Sequence, residues 1–255
     1  RVSIFFGLLS LFMGLELLIP KRPPKVSRLI RWSNNIGLVF FNTLLIRLLL
    51  PVATVGVAYW AQEQELGLFN LLEWNEWFEV LLAVIILDCA IYWQHRLFHK
   101  VPILWRLHRV HHVDQDIDVT TGARFHPIEI FLSLAIKFAL VSLLGPAAVA
   151  VVIFEVLLNG VAMFNHANIR FSSGLDKLLR WFVVTPDMHR VHHSRIVHET
   201  NSNFGFNLPW WDRLFGSYEE QPKLDHQNMD IGVSKFDEIS KTQYLHNLLV
   251  LPFRK

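Results

Sequence analysis

Long apolar runs constrain this chain more than any other feature. Four or five stretches could enter a bilayer, whose hydrocarbon core of about 30 Å takes roughly 20 helical residues to cross. They are residues 2–19, broken only by Glu16; 36–60, with Arg47 inside and a kink expected at Pro51; 79–93, enclosing Asp88; and 128–144 and 147–165, separated by Gly145-Pro146. The last two read as a hairpin that either crosses or re-enters. The composition agrees: 52% of residues are hydrophobic, the mean hydropathy is +0.32, and only 18% are charged, against about 25% in an ordinary soluble domain. The expected fold is all-α, an integral membrane helix bundle of about four spans, or three plus a re-entrant hairpin. Residues 1–94 supply the first membrane helices. Residues 95–255 are expected to form a second region that carries any chemistry, with the hairpin at 128–165 and a helical cap.

Loop charges orient the bundle. Lys21, Arg22, Lys25, Arg28 and Arg31 follow the first span and belong in the cytoplasm. Glu63, Glu65, Glu73 and Glu76 follow the second span, in a loop without Lys or Arg, and fit the opposite side. The third span returns to Arg96, Lys100, Arg106 and Arg109, and the hairpin leaves and comes back. The chain begins on Arg1 rather than Met, as a trimmed or processed segment would, and the basic loop after residue 20 favours a retained anchor over a signal peptide. A net charge of +2 gives no electrostatic case for nucleic acid. The single cysteine, Cys89, excludes an intrachain disulfide and thiolate metal sites.

Any metal chemistry must therefore use nitrogen and oxygen, and the histidines supply it. Eight of thirteen fall in three groups: His95 with His99, His108 with His111 and His112, and His189 with His192 and His193. Helical residues three and four apart share a face, and neutral imidazole binds first-row transition metals well. Eight donors exceed the needs of one four-coordinate ion, so the spacing points to two. His166, at the end of the hairpin's second arm, faces the same side as a ninth ligand. Pro102 ends the helix carrying His95 and His99, and Thr185-Pro186-Asp187 is a strong helix start for the third group. All three groups meet only if an even number of crossings separates them, and the spans satisfy that condition.

Other polar residues invite roles around such a centre. Asp88, two turns before His95, is a carboxyl group inside an apolar span, which is costly and usually functional; it is expected to orient a histidine. His126, Asn203 and Asp212 are candidates to hydrogen-bond the ligand imidazoles from outside. The bland alternatives are a structural His126 and simple packing of the Trp210–Phe215 region at the membrane interface. His198, His226 and His246 read as solvated.

These motifs together resemble the fatty acid hydroxylase/sterol desaturase superfamily of integral membrane non-haem di-iron enzymes. Besides the histidine groups, the likeness rests on residues 114–127, 185–194 and 203–218, the last joining Asn203-Phe204-Gly205 to Trp211-Asp212-Arg213-Leu214-Phe215-Gly216. It looks most like the bacterial sterol-desaturase-type branch and, more distantly, the alkylglycerol monooxygenases. The resemblance implies that His95, His99, His108, His111, His112, His166, His189, His192 and His193 ligate two Fe ions. It departs at Ala162, where some fatty acid 2-hydroxylases carry a further histidine. It also implies O2 as co-substrate, a membrane lipid as substrate, and a site on the cytoplasmic face of a bacterial inner membrane. No cytochrome-b5-like or flavin segment is visible, so a separate reductase, ferredoxin or cytochrome is expected to supply electrons. The rivals are a metal-ion transporter, which needs a site near the bilayer midplane on broken spans, a bis-histidine haem cytochrome, and a catalytically inactive lipid-binding relative.

Overall fold

The computed structural model of the chain describes residues 2–50, 52–71 and 75–254. Seven helices form its frame: α1 (Val2–Leu18), α2 (Arg28–Leu49), α3 (Thr54–Glu63), α4 (Glu76–Lys100), α5 (Pro102–His112), α6 (Pro127–Leu144) and α7 (Ala148–His166). Six shorter ones follow within the cap: α8 (Ser173–Leu179), α9 (Pro186–His192), α10 (Val197–Thr200), α11 (Trp210–Leu214), α12 (Ile239–Thr242) and α13 (Leu245–Val250). Strand pairing among the described residues is confined to two isolated bridges, Pro20 with Ile169 and Ser194 with Ile231.

Among the described residues three helical stretches are long and apolar enough to cross a membrane: Arg28–Leu71, Pro127–Leu144 and Ala148–His166. The first covers the run expected over 36–60, in which α2 ends at Leu49 and α3 begins at Thr54. Pro51, where the kink was expected, lies outside the described residues, as does Glu73. The expected span at 79–93 lies inside α4, which runs on through His95 and His99 to Lys100. The apolar helix over Ser3–Leu18 is shorter than the three.

Local chemistry sets the helix ends. Asn75 caps α4 by accepting from the amides of Trp77 and Phe78, with Glu76 and Glu79 in the first turn, where acids suit the helix dipole. Proline opens α5, α6 and α9, and Thr185 caps α9 by accepting from the Met188 amide. Gly145 ends α6 in the left-handed region at φ 62°, against Gly67 at φ 100°. A Cβ on Gly67 would lie 2.3 Å from the Gly145 nitrogen, so this contact excludes side chains as well as right-handed backbone. After the turn, α6 and α7 share α3 and α4 as neighbours; α6 also packs on α2 and α5, and α7 on α1 and α9. Ala58, Leu87, Ile91, Val141, Val151 and Phe154 form the core where α3, α4, α6 and α7 meet.

The cap is tied to the bundle by buried polar contacts at the basic end of α1 and α2. Glu16 accepts from the Val119 and Asn168 amides at 2.8 and 2.7 Å. Lys21 pairs with Asp187 at 2.6 Å, and Arg22 donates to the carbonyls of His226 and Met229. Arg31 pairs with Asp114 at 2.8 Å and also with Asp118. The basic loop, the cap and the histidine-bearing segments thus lie at one end of the bundle. Arg31→Ala would leave Asp118 buried without its cation and Asp114 with Arg124 alone. It should lower stability by about 3–5 kcal/mol, read as a fall in thermal unfolding temperature in detergent.

Candidate metal centre

Nine histidines converge from four pieces of helix. The last turns of α4 carry His95 and His99, α5 carries His108, His111 and His112, α7 ends on His166, and α9 with the next residue supplies His189, His192 and His193. They divide into two groups able to hold a metal ion: His95, His99, His108, His112 and His192, and His111, His166, His189 and His193. Within each group one nitrogen per ring lies within 4.8 Å of all the others. All are buried except His99, which is partly exposed.

Helical geometry explains the division. Neighbouring residues on an α-helix point about 100° apart, whereas residues four apart share a face. In α5, His108 and His112 therefore join one group and His111 the other. At α9 the pattern is reversed: His189 and His193 join the second group and His192 the first. Each paired-histidine motif gives two donors to one group and one to its neighbour, which holds the groups side by side.

The nitrogens face one another in a way that hydrogen bonding does not satisfy. His166 Nδ1 donates to the Ala162 carbonyl at 2.7 Å, so neutral His166 has a bare lone pair at Nε2. The Nε2 atoms of His111, His189 and His193 surround that lone pair at 3.1, 3.0 and 3.3 Å, and only one of them can donate to it. The Nδ1 atoms of the same three rings have no partner. In the first group His95 Nδ1 donates to the Phe204 carbonyl at 2.8 Å, leaving Nε2 facing His108 Nε2 at 3.1 Å. His192 Nδ1 donates to the Ser202 carbonyl at 2.7 Å, and its Nε2 has no partner. His99 and His112 approach through Nε2 at 3.1 Å. Metal–nitrogen bonds of ~2.1 Å separate neighbouring donors by about 3.0 Å at right angles and about 3.4 Å in a tetrahedron. The observed spacings fall in that interval, so the donor set fits metal ions.

Burial also sets the protonation of these rings. Desolvation lowers His108 to about 3 and holds His111, His112, His189, His192 and His193 well below the ordinary imidazole value. They are neutral at physiological pH, the state that donates to a metal.

The surrounding residues differ in part from expectation. Asp88 does not touch a histidine: it accepts from the Asn207 and Leu208 amides and, at 2.8 Å, from Trp211 Nε1, pinning the 203–215 segment to α4. His126 caps α6 and its Nε2 lies 3.1 Å from the Leu249 carbonyl; it is structural. Asn203 bonds Met188 and Glu219 rather than an imidazole. Asp212 acts one step back, accepting from the Phe204 and Gly205 amides and from Ser217 Oγ, so it fixes the peptide whose carbonyl holds His95. Burial raises its carboxyl to about 6. Glu129 was not foreseen. This buried side chain on α6 puts Oε1 2.6 Å from His108 Nδ1, the carboxylate–imidazole arrangement that orients metal ligands. Its signal in the sequence was that of Asp88, an acid at the edge of an apolar run.

A cavity of about 260 Å³ reaches His95, His108 and Glu129 from between α2, α4, α6 and α7, past Ile91, Phe98, Ile130 and Leu158. On the other side, two polar clefts of about 280 and 260 Å³ share His99 and Asn201 in their walls; Arg96 and Lys100 line one, Trp105 and Arg195 the other.

The sequence profile of the fatty acid hydroxylase family matches residues 80–217. The chain is 31% identical over 163 residues to the ornithine lipid hydroxylase OlsE of Rhizobium tropici, covering 64% of this chain and 47% of that protein. It is 30% identical over 183 residues to human alkylglycerol monooxygenase, covering 70% and 39% respectively. It is 27% identical over 197 residues to fatty acid hydroxylase vlmA of a Lecanicillium species, covering 71% and 53%. The chain thus spans about half or less of the length of these relatives. No solved structure matches it.

Two outcomes follow. Glu129→Gln should weaken metal affinity about 10–100-fold, measured by competition with a chelator. In metal-stripped protein the buried rings bind fewer protons than they do unfolded, so stability is fully present above the unfolded pKa of about 6.5. It should fall as pH drops through that value towards the depressed folded ones, read as a declining unfolding temperature between about pH 7 and pH 5.

Proposed function

The chain belongs to the fatty acid hydroxylase family, and from that premise we propose that it is an O2-dependent hydroxylase or desaturase of a membrane lipid. In this reading two Fe ions are held by His95, His99, His108, His112 and His192 on one side and by His111, His166, His189 and His193 on the other. The observation that carries it is the convergence of nine imidazoles in two adjoining groups, with more ring nitrogens facing one another than hydrogen bonds can satisfy. When bound, such a pair supplies reduction of dioxygen and removal of hydrogen from an unactivated C–H bond.

The chain's own residues provide the rest. Glu129 and the carbonyls of Phe204, Ser202 and Ala162 fix four rings with Nε2 turned inward. Asp212 braces the Phe204 peptide. Ile46, Ile91, Phe98, Ile130 and Leu158 give the approach to His95 and His108 a largely apolar surface that suits an alkyl chain, with Asn42, Gln94 and Ser133 also in the wall. The relatives' names, an ornithine lipid hydroxylase, an alkylglycerol monooxygenase and a fatty acid hydroxylase, support a long-chain amphiphile here. Electrons would come from a separate reductase, ferredoxin or cytochrome, for which the polar clefts at His99 offer an approach. The shared end of the basic loop and the cap supports a cytoplasmic site, in a bacterial inner membrane. A metal transporter would place its site near the midplane of broken spans, whereas here four donors lie at or just beyond the C-terminal ends of α4, α7 and α9.

Purified protein should carry about two iron equivalents, one for each histidine group. His111→Ala or His192→Ala should lower the iron content and abolish O2-dependent lipid oxidation. Lipid profiles of a host with and without the gene should differ by a hydroxylated or desaturated species. Metal uptake into liposomes without any lipid oxidation would refute the reading.

A further inference from the structure

A second, larger cavity has no part in the reading above. It encloses about 560 Å³ between α1, α2 and α7, lined mostly by apolar side chains such as Leu8, Ile36, Phe40 and Val156, with Arg47 and Glu155 among its polar residues and no histidine. It adjoins the smaller cavity beside His95 and His108: Phe5, Val39, Thr43, Ala123 and Asn159 stand in the walls of both. Phe6 and Phe40, 46% and 61% exposed, border it from α1 and α2, so it communicates with the apolar exterior of the bundle.

Its walls restrict what can fill it. The apolar stretches of the wall hold water poorly, and left empty they forfeit dispersion contacts. The volume falls in the range of sites that enclose whole small ligands, roughly 300–1,000 Å³. Lipid tails are as apolar as the side chains here, so partitioning alone does not draw a chain inward. Selectivity must come from shape and from the few polar groups present. Two of those, Thr43 and Asn159, lie in the shared wall.

We propose that the substrate is a lipid with two alkyl arms. The arm to be oxidised lies in the smaller cavity against His95 and His108. The second arm fills the larger chamber, and the polar junction between them sits at Thr43 and Asn159. This rests on the lipid-oxidation reading and adds to it the class of lipid. A single-chain amphiphile would occupy the smaller cavity and leave the larger one unused.

Binding is the test, read by native mass spectrometry of the purified iron-loaded protein titrated with 1,2-dioleoylglycerol and with 1-oleoylglycerol. These neutral probes differ in chain number and share a headgroup type. Wild type should bind the two-chain probe at least about tenfold more tightly. Val156→Trp and Ile36→Trp, which fill the larger chamber from opposite walls, should each erase most of that preference. They should do so by weakening the two-chain probe alone, with iron content retained as the sign of an intact fold. Equal binding of both probes by wild type, or a preference that survives both tryptophans, would overturn the proposal. A two-chain preference in a protein that oxidises no lipid would instead refute the catalytic reading alone.

Discussion

Lone pairs on neutral imidazoles repel when they are brought within hydrogen-bonding distance without a proton or a cation between them. At His166 three ring nitrogens crowd one such lone pair, and at His95 a second pair meets at 3.1 Å. Protonation is a poor remedy, because these rings are buried and desolvation disfavours the charged form. Bound cations relieve the conflict and gain from the same low-dielectric surroundings. Much of the cap is organised around holding rings in this otherwise unfavourable arrangement. Backbone carbonyls of Ala162, Ser202 and Phe204 each take one Nδ1 proton, which turns the opposite nitrogen towards its group.

That arrangement needs a rigid support, and the support is polar. Arg31, Asp114, Asp118 and Thr121 form a buried network directly after α5. Arg124 extends it to the Val110 carbonyl and to Gln243. Burial lowers Arg124 only to about 10, so it stays charged, and its positive charge with that of Arg31 holds the Asp114 carboxyl far below its usual range. Such a network contributes little net stability when satisfied but is costly to disrupt. Its value here is positional: it fixes α5 against α2, and with it three of the nine rings.

The convergence of the histidines was readable because helical period is a property of sequence. Spacings of three and four put histidines on common faces, and Thr185-Pro186 announced the helix that carries the last group. The hairpin was legible for a similar reason, through Gly145-Pro146 between two apolar runs. What escaped notice depends on tertiary proximity or on backbone atoms. Asp88 was conspicuous as an acid in an apolar helix, yet the indole and amides it serves lie about 120 residues away. Glu129 carried the same signal and was passed over, because its partner His108 sits on another helix. The carbonyls of Phe204 and Ser202 have no residue-type signature. The consecutive pairs His111-His112 and His192-His193 concealed the division of the donors, which follows from the 100° step only once the helices are placed.

The two approaches to the histidines differ in chemistry, and that difference gives the site a direction. From the bundle, apolar walls lead to His95 and His108; from the cap, polar clefts lead to His99, the one partly exposed ring of the nine. An oxidation that uses a lipid and an external electron source must keep these routes apart, since water reaching the apolar side would compete for reactive species. Tyr92 and Phe204, buried between α4 and the 203–217 segment, form part of the partition. Asp88 and Asp212 hold that segment in place from its two ends, Asp88 through Asn207, Leu208 and Trp211, and Asp212 through Phe204, Gly205 and Ser217. Asp88 and Asp212 thus act on the histidine cluster indirectly, by closing the wall between its two entrances.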